Sequence, residues 1–593
     1  MRSARSSVRK LTLISLFAAS CSVACCQDSS PVNPPAATPR TPTPSDPASQ
    51  HLTLRVTSRL VYIDVTVRDS HGQFVRGLTQ QDFKLFEDGH EQNFRLGVHS
   101  KDPERVASGP VKPETPLPNL VAHGQKEFSN VPQSTGSSDS INMVLLDLLS
   151  TPQLDQLYAR QQLLAFLKAM PSGQQVALFV LSDRLHMIQP FTGSSDRLIA
   201  AAEKIRPKDL TLIHSQDESA QDADWVAEFV AAIGRSPAGA VKPFEPQVLE
   251  QNAERREYMT EAALRELARA TSGYPGRKNL LWLAESFPIA IGSQLGKTRY
   301  IGQDVVGTRM TSEMLANSRI AIYPISLLGL EVGGVNASAN GLGEVNSLGG
   351  TYGKTLNDQA EARHDLRELV NEIARETGGR AFYGTNDFAR ALESSLDDGA
   401  NYYALTYVPS NPDWNGHFRN VEVKLQHKGY TLSYRRGYFA FPDATPASDI
   451  NRDLSIAMQP MTPESTMLLL KSKIVPSGQD ENNVIIESTI NPDTVTFTTT
   501  EDGHHHAKLL VTLIALNDGE TQPRQPPQSA GNLNIDLDPE RYNFILHNGI
   551  AFQQRLSLVP GKYRLRLGVV DESSHRIGTI DMPVSVGLPN PQS

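Results

Sequence analysis

The sequence predicts an α/β protein: a doubly wound, Rossmann-like domain flanked by β-sandwich domains. Three observations carry that expectation. From Ile141 to about residue 400, short apolar runs alternate with stretches of helical spacing, the pattern of a largely parallel sheet between helices. Ahead of it, Val61, Ile63, Val65 and Val67 alternate with Tyr62, Asp64, Thr66 and Arg68, the period-two pattern of a half-buried strand. Beyond about Asn401 the helical spacing stops and only strand patterns remain.

Taken in order, residues 1–26 read as a signal peptide. Arg2, Arg5, Arg9 and Lys10 precede the apolar run Leu11–Ala19 and then small residues, the basic–apolar–small layout of an export signal. All three cysteines, Cys21, Cys25 and Cys26, lie here. The folded part is therefore expected to hold no disulfide, zinc-thiolate site or cysteine nucleophile. Ala18-Ala-Ser-Cys21 resembles a lipobox without its usual Leu, so Cys21 is a candidate lipid anchor. The expected location is periplasm, outer surface or medium. Residues 27–51, rich in Pro, Ser and Thr, read as an extended tether.

Residues 52–100 read as a β-rich module with turns at Asp69–Gly72 and Glu87–Gly89. Residues 101–140 read as loose, and 141–400 as the α/β domain, with insertions near 208–248 and 292–360. Its strands are expected at Ile141–Leu146, Val176–Leu181, Asn279–Ala284, Ile320–Ile325 and Arg380–Tyr383. Its helices are expected at about 152–170, 195–205, 250–270, 310–318, 361–376 and 386–397. Near-unbroken apolar strands fit a sheet covered on both faces. Residues 401–440 give strands at Tyr402–Tyr407, Arg419–Leu425 and Tyr430–Tyr438. These are expected to complete the N-terminal sandwich with 52–100, because neither piece alone buries enough surface to fold. Residues 442–462 read as loose, and 463–588 as an all-β C-terminal sandwich.

Charge narrows the partners. The chain has 593 residues, 56 Lys+Arg and 65 Asp+Glu, a formal net charge of −9 that becomes −13 without the basic leader. That balance argues against nucleic acid and anionic membrane surfaces. No later apolar run reaches the length of a membrane span.

Asp64–Asp69, Gly77–Phe83, Glu87–Gly89, Val144–Asp147, Pro275–Trp282, Tyr403–Pro409 and Tyr434–Phe439 occur in an order that resembles the bacterial VWFA-related family, and the α/β region resembles a von Willebrand factor A domain. The resemblance spans about 52–440. It implies protein or surface binding and a Mg²⁺ site of Asp-x-Ser-x-Ser, Thr and Asp at the C-terminal ends of the sheet strands. Carried over, the metal candidates are Asp147, Ser150, Thr151, Thr260 and Glu285. Leu149 stands where the first Ser belongs, and Glu285 replaces the Asp. Hard oxygen donors suit Mg²⁺, which tolerates a missing ligand by keeping more water. The alternative reading has Asp147 and Thr151 capping the next helix.

Other motifs fail on chemistry. Gly350–Thr355 lacks the first Gly of a phosphate loop, because 348 is Leu. Gly234-Arg-Ser236 lacks the last Gly of a nucleophile elbow. His504-His-His506 follows an Asp-Gly turn and alternates faces on a strand. Arg435-Arg436 reads as part of a strand with its stems packed over apolar neighbours. The expected function is an exported binding protein and not an enzyme. The alternatives are a structural envelope component without ligand and an extracytoplasmic hydrolase.

Overall fold

In the computed structural model, the described residues are 59–99, 127–132, 141–151, 156–170, 174–205, 246–289, 305–327, 364, 366–383, 388–442, 450–476, 482–517 and 526–587. The leader, the tether, most of both insertions, and the Gly234 and Gly350 motifs lie outside them. Residues Ser58–Ser593 form one compact unit. Among the described residues no helix is long and apolar enough to cross a membrane.

The centre is a mixed α/β layer. Its sheet runs Ile320–Ser326, Lys278–Ala284, Ile141–Asp147, Val176–Leu181, Leu185–Thr192. The first four strands are parallel and the last pairs antiparallel at the edge. In chain order this is 5-4-1-2-3, so the strand order reverses between Ile141–Asp147 and Lys278–Ala284. Val144, Leu146 and Leu148 face one core with Phe166 and Leu198, while Met143 and Leu145 face another with Leu264 and Trp282. Being covered on both sides is why these strands read as unbroken apolar runs. The edge strand Leu185–Thr192 carried no such run.

The helices stand close to their expected places, at Gln156–Lys168, Ser195–Glu203, Pro246–Thr271, Val305–Asn317 and Phe388–Ala400, and a further one at 366–377. The strand expected at Arg380–Tyr383 is a single bridge, Phe382 to Ile325.

Residues 59–99 and 402–439 interleave. Val61–Arg68 pairs antiparallel with Tyr402–Tyr407, Ile63 opposite Leu405, and Phe83–Glu87 with Phe418–Leu425. Two four-stranded sheets result, and Val61, Ile63, Val65, Leu85, Leu405, Val421 and Val423 share one core between them. The expected strand Tyr430–Tyr438 is in fact two. Thr431–Ser433 pairs with Val61–Arg68, and Gly437–Phe439 with Phe418–Leu425 in the other sheet. Tyr434–Arg436 is the crossing, so Arg435 and Arg436 lie outside strands.

The C-terminal part also has two sheets, sharing a core of Leu470, Ile486, Leu509, Val511, Leu565, Leu567 and Ile580. Three expectations need correction. Glu127–Ser129, in a stretch read as loose, is an edge strand on Leu470–Pro476. Ile450–Ala457 is a helix. Pro539–Asn548 is a helix within the region read as all-β, started by Asp538 accepting the Arg541 N–H.

This part docks on the α/β layer through backbone bonds, Thr466 N–H to Arg269 O at 3.0 Å and Met187 N–H to Met461 O at 3.1 Å. Glu464 lies at this junction with Oε1 accepting the Asp581 N–H at 2.8 Å. Burial, with a smaller contribution from the Asp581 carboxylate, pushes its carboxyl from 4.5 to about 7. The folded state therefore holds this proton more tightly than the unfolded chain. Its contribution is full below about pH 4.5 and is lost as pH rises through 7. Glu464→Gln keeps the acceptor and removes the titration. We expect the wild type to lose on the order of 2–3 kcal/mol relative to Glu464→Gln between pH 4.5 and 7.5. Parallel denaturation curves at the two pH values would contradict this.

Candidate functional site

Ligands of open α/β sheets bind outside the carboxyl ends of the strands where the order reverses. Here that point lies between the ends of Ile141–Asp147 and Lys278–Ala284, and it carries Asp147 and Glu285. Asp147 is fully buried. Its Oδ1 accepts the Ser150 N–H at 2.8 Å and its Oδ2 accepts the Trp282 indole N–H at 3.0 Å. Burial raises its carboxyl from 3.8 to about 6, while these donors oppose the rise.

The turn after Asp147 is tightly held. The Thr151 hydroxyl donates to the Asp147 carbonyl at 2.6 Å. Leu148 and Leu149 N–H both reach Leu181 O, at 2.8 and 3.2 Å. Ser286 bonds back to Ser150 O through its N–H and hydroxyl, each at 3.2 Å. The Ser150 Oγ is buried without a hydrogen bond of good geometry, yet it lies close enough to the Asp147 carboxylate to oppose the rise of its pKa.

Thr260 lies on the helix Pro246–Thr271. It precedes Thr271 by about 16 Å of helix at 1.5 Å per residue, and Lys278–Ala284 is about 20 Å long. The helix returns directly into that strand. Leu264, one turn on from Thr260, packs in the cluster that also takes Trp282 and Leu149. The Thr260 Oγ1 is likewise buried without a hydrogen bond. Glu285 is half-buried and engaged by a neighbour.

Hydrogen bonds thus join Asp147, Ser150 and Thr151, and add Trp282 and Ser286, which sequence reasoning missed. The Thr260 hydroxyl is not part of this hydrogen-bonded group. Trp282 had a detectable signal. It pairs with Leu145 in register, so in a pleated sheet it shares a face with Asp147 two residues on. Residues 152–155, where the next helix would be capped, lie outside the described residues, and so does the capping alternative.

The donor set fits a hard cation at its hydroxyls. The buried Thr260 oxygen has no partner, and such a group loses hydrogen-bonding energy. Leu149 supplies no oxygen, and the indole engages one Asp147 oxygen, so any ion would retain more water. Among the described residues no cluster of three or more His, Cys, Asp or Glu side chains could hold a metal. That includes His504 and His506, which both turn toward Asp536, at 2.8 and 3.6 Å, while His505 stacks on Tyr542.

No protein-family model and no curated protein matches the chain. Similar solved structures include an aerotolerance-related membrane protein from Bacteroides fragilis (14% identity, 44% of this chain and 98% of that one, TM-score 0.23). Another is BatB from Bacteroides thetaiotaomicron (13%, 44% and 98%, TM-score 0.22). A third is a von Willebrand factor type A protein from Catenulispora acidiphila (8%, 86% and 75%, TM-score 0.20). At these scores the likenesses carry no argument.

Proposed function

We propose that the chain is an exported binding protein with a von Willebrand factor A-like domain set between β-sandwich modules, engaging a protein or surface partner at the Asp147 end of its central sheet. The observation that carries this reading is the buried Asp147 at the point of strand-order reversal, held by Ser150 in its own turn and by Trp282 of the neighbouring strand. The first sheet pair meets the opposite end, at Arg277 and Arg319.

A divalent cation supplies a hard positive centre for a partner's carboxylate. Asp147, Ser150, Thr151 and Thr260 would hold it, with Glu285 through water. Binding requires ionised Asp147, so affinity should rise with pH through about 6. Calorimetry of the full chain with Mn²⁺ should give weak binding, in the millimolar range. Asp147→Ala should abolish it. Leu149→Ser, which restores a hydroxyl, and Trp282→Phe, which frees an Asp147 oxygen, should each tighten it, by roughly threefold to tenfold. No heat with either Mn²⁺ or Mg²⁺ would remove the cation. A specific partner retained from envelope extracts by wild type, and lost with Asp147→Ala, tests the binding role itself. Equal retention by both would overturn it.

A further inference from the structure

In the C-terminal part, the strand Gln528–Leu537 lies at the edge of its sheet. It pairs along its whole length with His505–Asn517, from Gln528 opposite Ile514 to Leu537 opposite His505, without a bulge. The Ala515 N–H donates to Pro527 O at 2.9 Å, which sets the alternation of the antiparallel pair. Ser529, Gly531, Leu533 and Ile535 turn their backbone groups to that neighbour. Gln528, Ala530, Asn532, Asn534 and Asp536 turn theirs outward, where among the described residues they make no hydrogen bond. The other edge of this sheet, Ile577–Val586, is closed. Ile577 O accepts the Leu468 N–H, the Thr579 N–H reaches Ser465 O, the Asp581 N–H reaches Glu464 Oε1, and Pro583 has no N–H. Gln528–Leu537 holds no Lys, Arg or Pro, the residues that keep edges from pairing.

Gly531 has no use within one chain. Its backbone is not left-handed, and a Cβ there would meet only Gln554 Nε2, at 3.9 Å. Glycine inside a strand weakens it, and marks places where another backbone comes close. Leu533 and Ile535, on the same face, are only partly buried at the rim of the core. Laid antiparallel against a second copy of itself about Asn532, the strand is self-complementary. On the core face Gly531 meets the partner's Leu533, and Ser529 meets the partner's Ile535, so each large side chain faces a small one. On the exposed face Gln528 meets the partner's Asp536, an amide donor against a carboxylate. The outward backbone groups fall opposite one another in this register, as a hydrogen-bonded ladder requires.

We propose that two copies of this chain join along Gln528–Leu537 about a two-fold axis at Asn532, so that one sheet runs through both C-terminal sandwiches. A two-fold axis lets one patch serve both copies. The added strand covers Leu533 and Ile535. A single strand pair is a small interface, so the dimer is weak and concentration-dependent. It is separate from Asp147 and stands or falls without it.

Sedimentation equilibrium of the full chain from about 1 to 200 μM tests this, under reducing conditions that keep Cys21, Cys25 and Cys26 from linking copies. A monomer–dimer equilibrium in the micromolar range is the expected result. Asn532→Lys sets two ammonium groups against each other at the axis and should weaken the dimer about tenfold or more. Gln528→Lys brings a cation to the partner's Asp536 on both sides of the axis and should tighten it about threefold to tenfold. Both side chains are exposed, and neither backbone bonds the neighbouring strand, so each variant keeps its fold. A monomer throughout the range overturns the proposal. So does a dimer that Asn532→Lys leaves unchanged, or one that Gln528→Lys fails to tighten.

Discussion

Replacing Glu87 with alanine should destabilise the first sheet pair by about 3–5 kcal/mol. Glu87 is a carboxylate 3% exposed between the two sheets. Its oxygens accept from Tyr407 Oη at 2.6 Å, Tyr438 Oη at 2.8 Å and Arg419 Nη1 at 3.1 Å. Arg419 is itself buried and lies 5.0 Å from the Trp414 ring centroid. Removing the acid strands a buried guanidinium and two phenols at once, and losing one partner of a buried pair is far more damaging than never having had the pair. Glu87→Gln should fall between, because an amide oxygen still accepts from a phenol but carries no charge. Urea denaturation of the full chain with Trp225 and Trp282 replaced by Phe in both the reference and the variant, followed by the fluorescence of Trp414 in this module, reads the effect. A Glu87→Ala midpoint equal to wild type would show that the cluster contributes nothing. Reading Glu87 only as the start of an Asp-Gly turn hid this role, since its three partners lie more than 300 residues on.

That example marks where the sequence is legible. Patterns that repeat along the chain transfer directly. Val61, Ile63, Val65 and Val67 announce their buried face, and the apolar runs at 141–146, 176–181 and 279–284 announce strands covered on both sides. The crossing at Tyr434–Arg436 escaped because Leu432, Tyr434 and Tyr438 all pack on the same core. Alternation continues through the change of sheet, so a period of two sees one strand. Glu127–Ser129 escaped for the opposite reason. Three residues are too few to show a period, and their place is set by Asn130, which bonds Ser465 O and Leu468 O at 2.7 and 2.8 Å.

At the candidate site, Asp147, Ser150 and Thr151 follow from spacing because one turn holds them. Trp282 depends on which strands are neighbours, and composition carries no sign of that. In an apolar run an indole reads as core filler. Its hydrogen bond to Asp147 appears only when Leu145 is set against Trp282.

Gly379→Ala should be the most damaging change of a single methyl group, by about 3 kcal/mol or more. The helix over 366–377 ends in a Schellman motif. Gly378 has φ of +79°, its N–H reaches Arg375 O at 3.3 Å, and the Gly379 N–H reaches Ala374 O at 2.8 Å. The chain then turns straight onto the edge strand. A Cβ on Gly379 would sit 1.9 Å from the Ile322 carbonyl oxygen, far inside any contact, and that oxygen belongs to a strand fixed on its other side by Lys278–Ala284. Neither partner can yield alone. The same turn presents Gly378 O to Arg277, so displacing it also withdraws an acceptor from a buried cation. Gly378→Ala should cost less, about 1–2 kcal/mol, from the left-handed backbone and a 2.9 Å approach to Arg435 N. Thermal unfolding of both variants gives the order. If Gly379→Ala were as stable as wild type, the helix could not lie where its closing turn puts it.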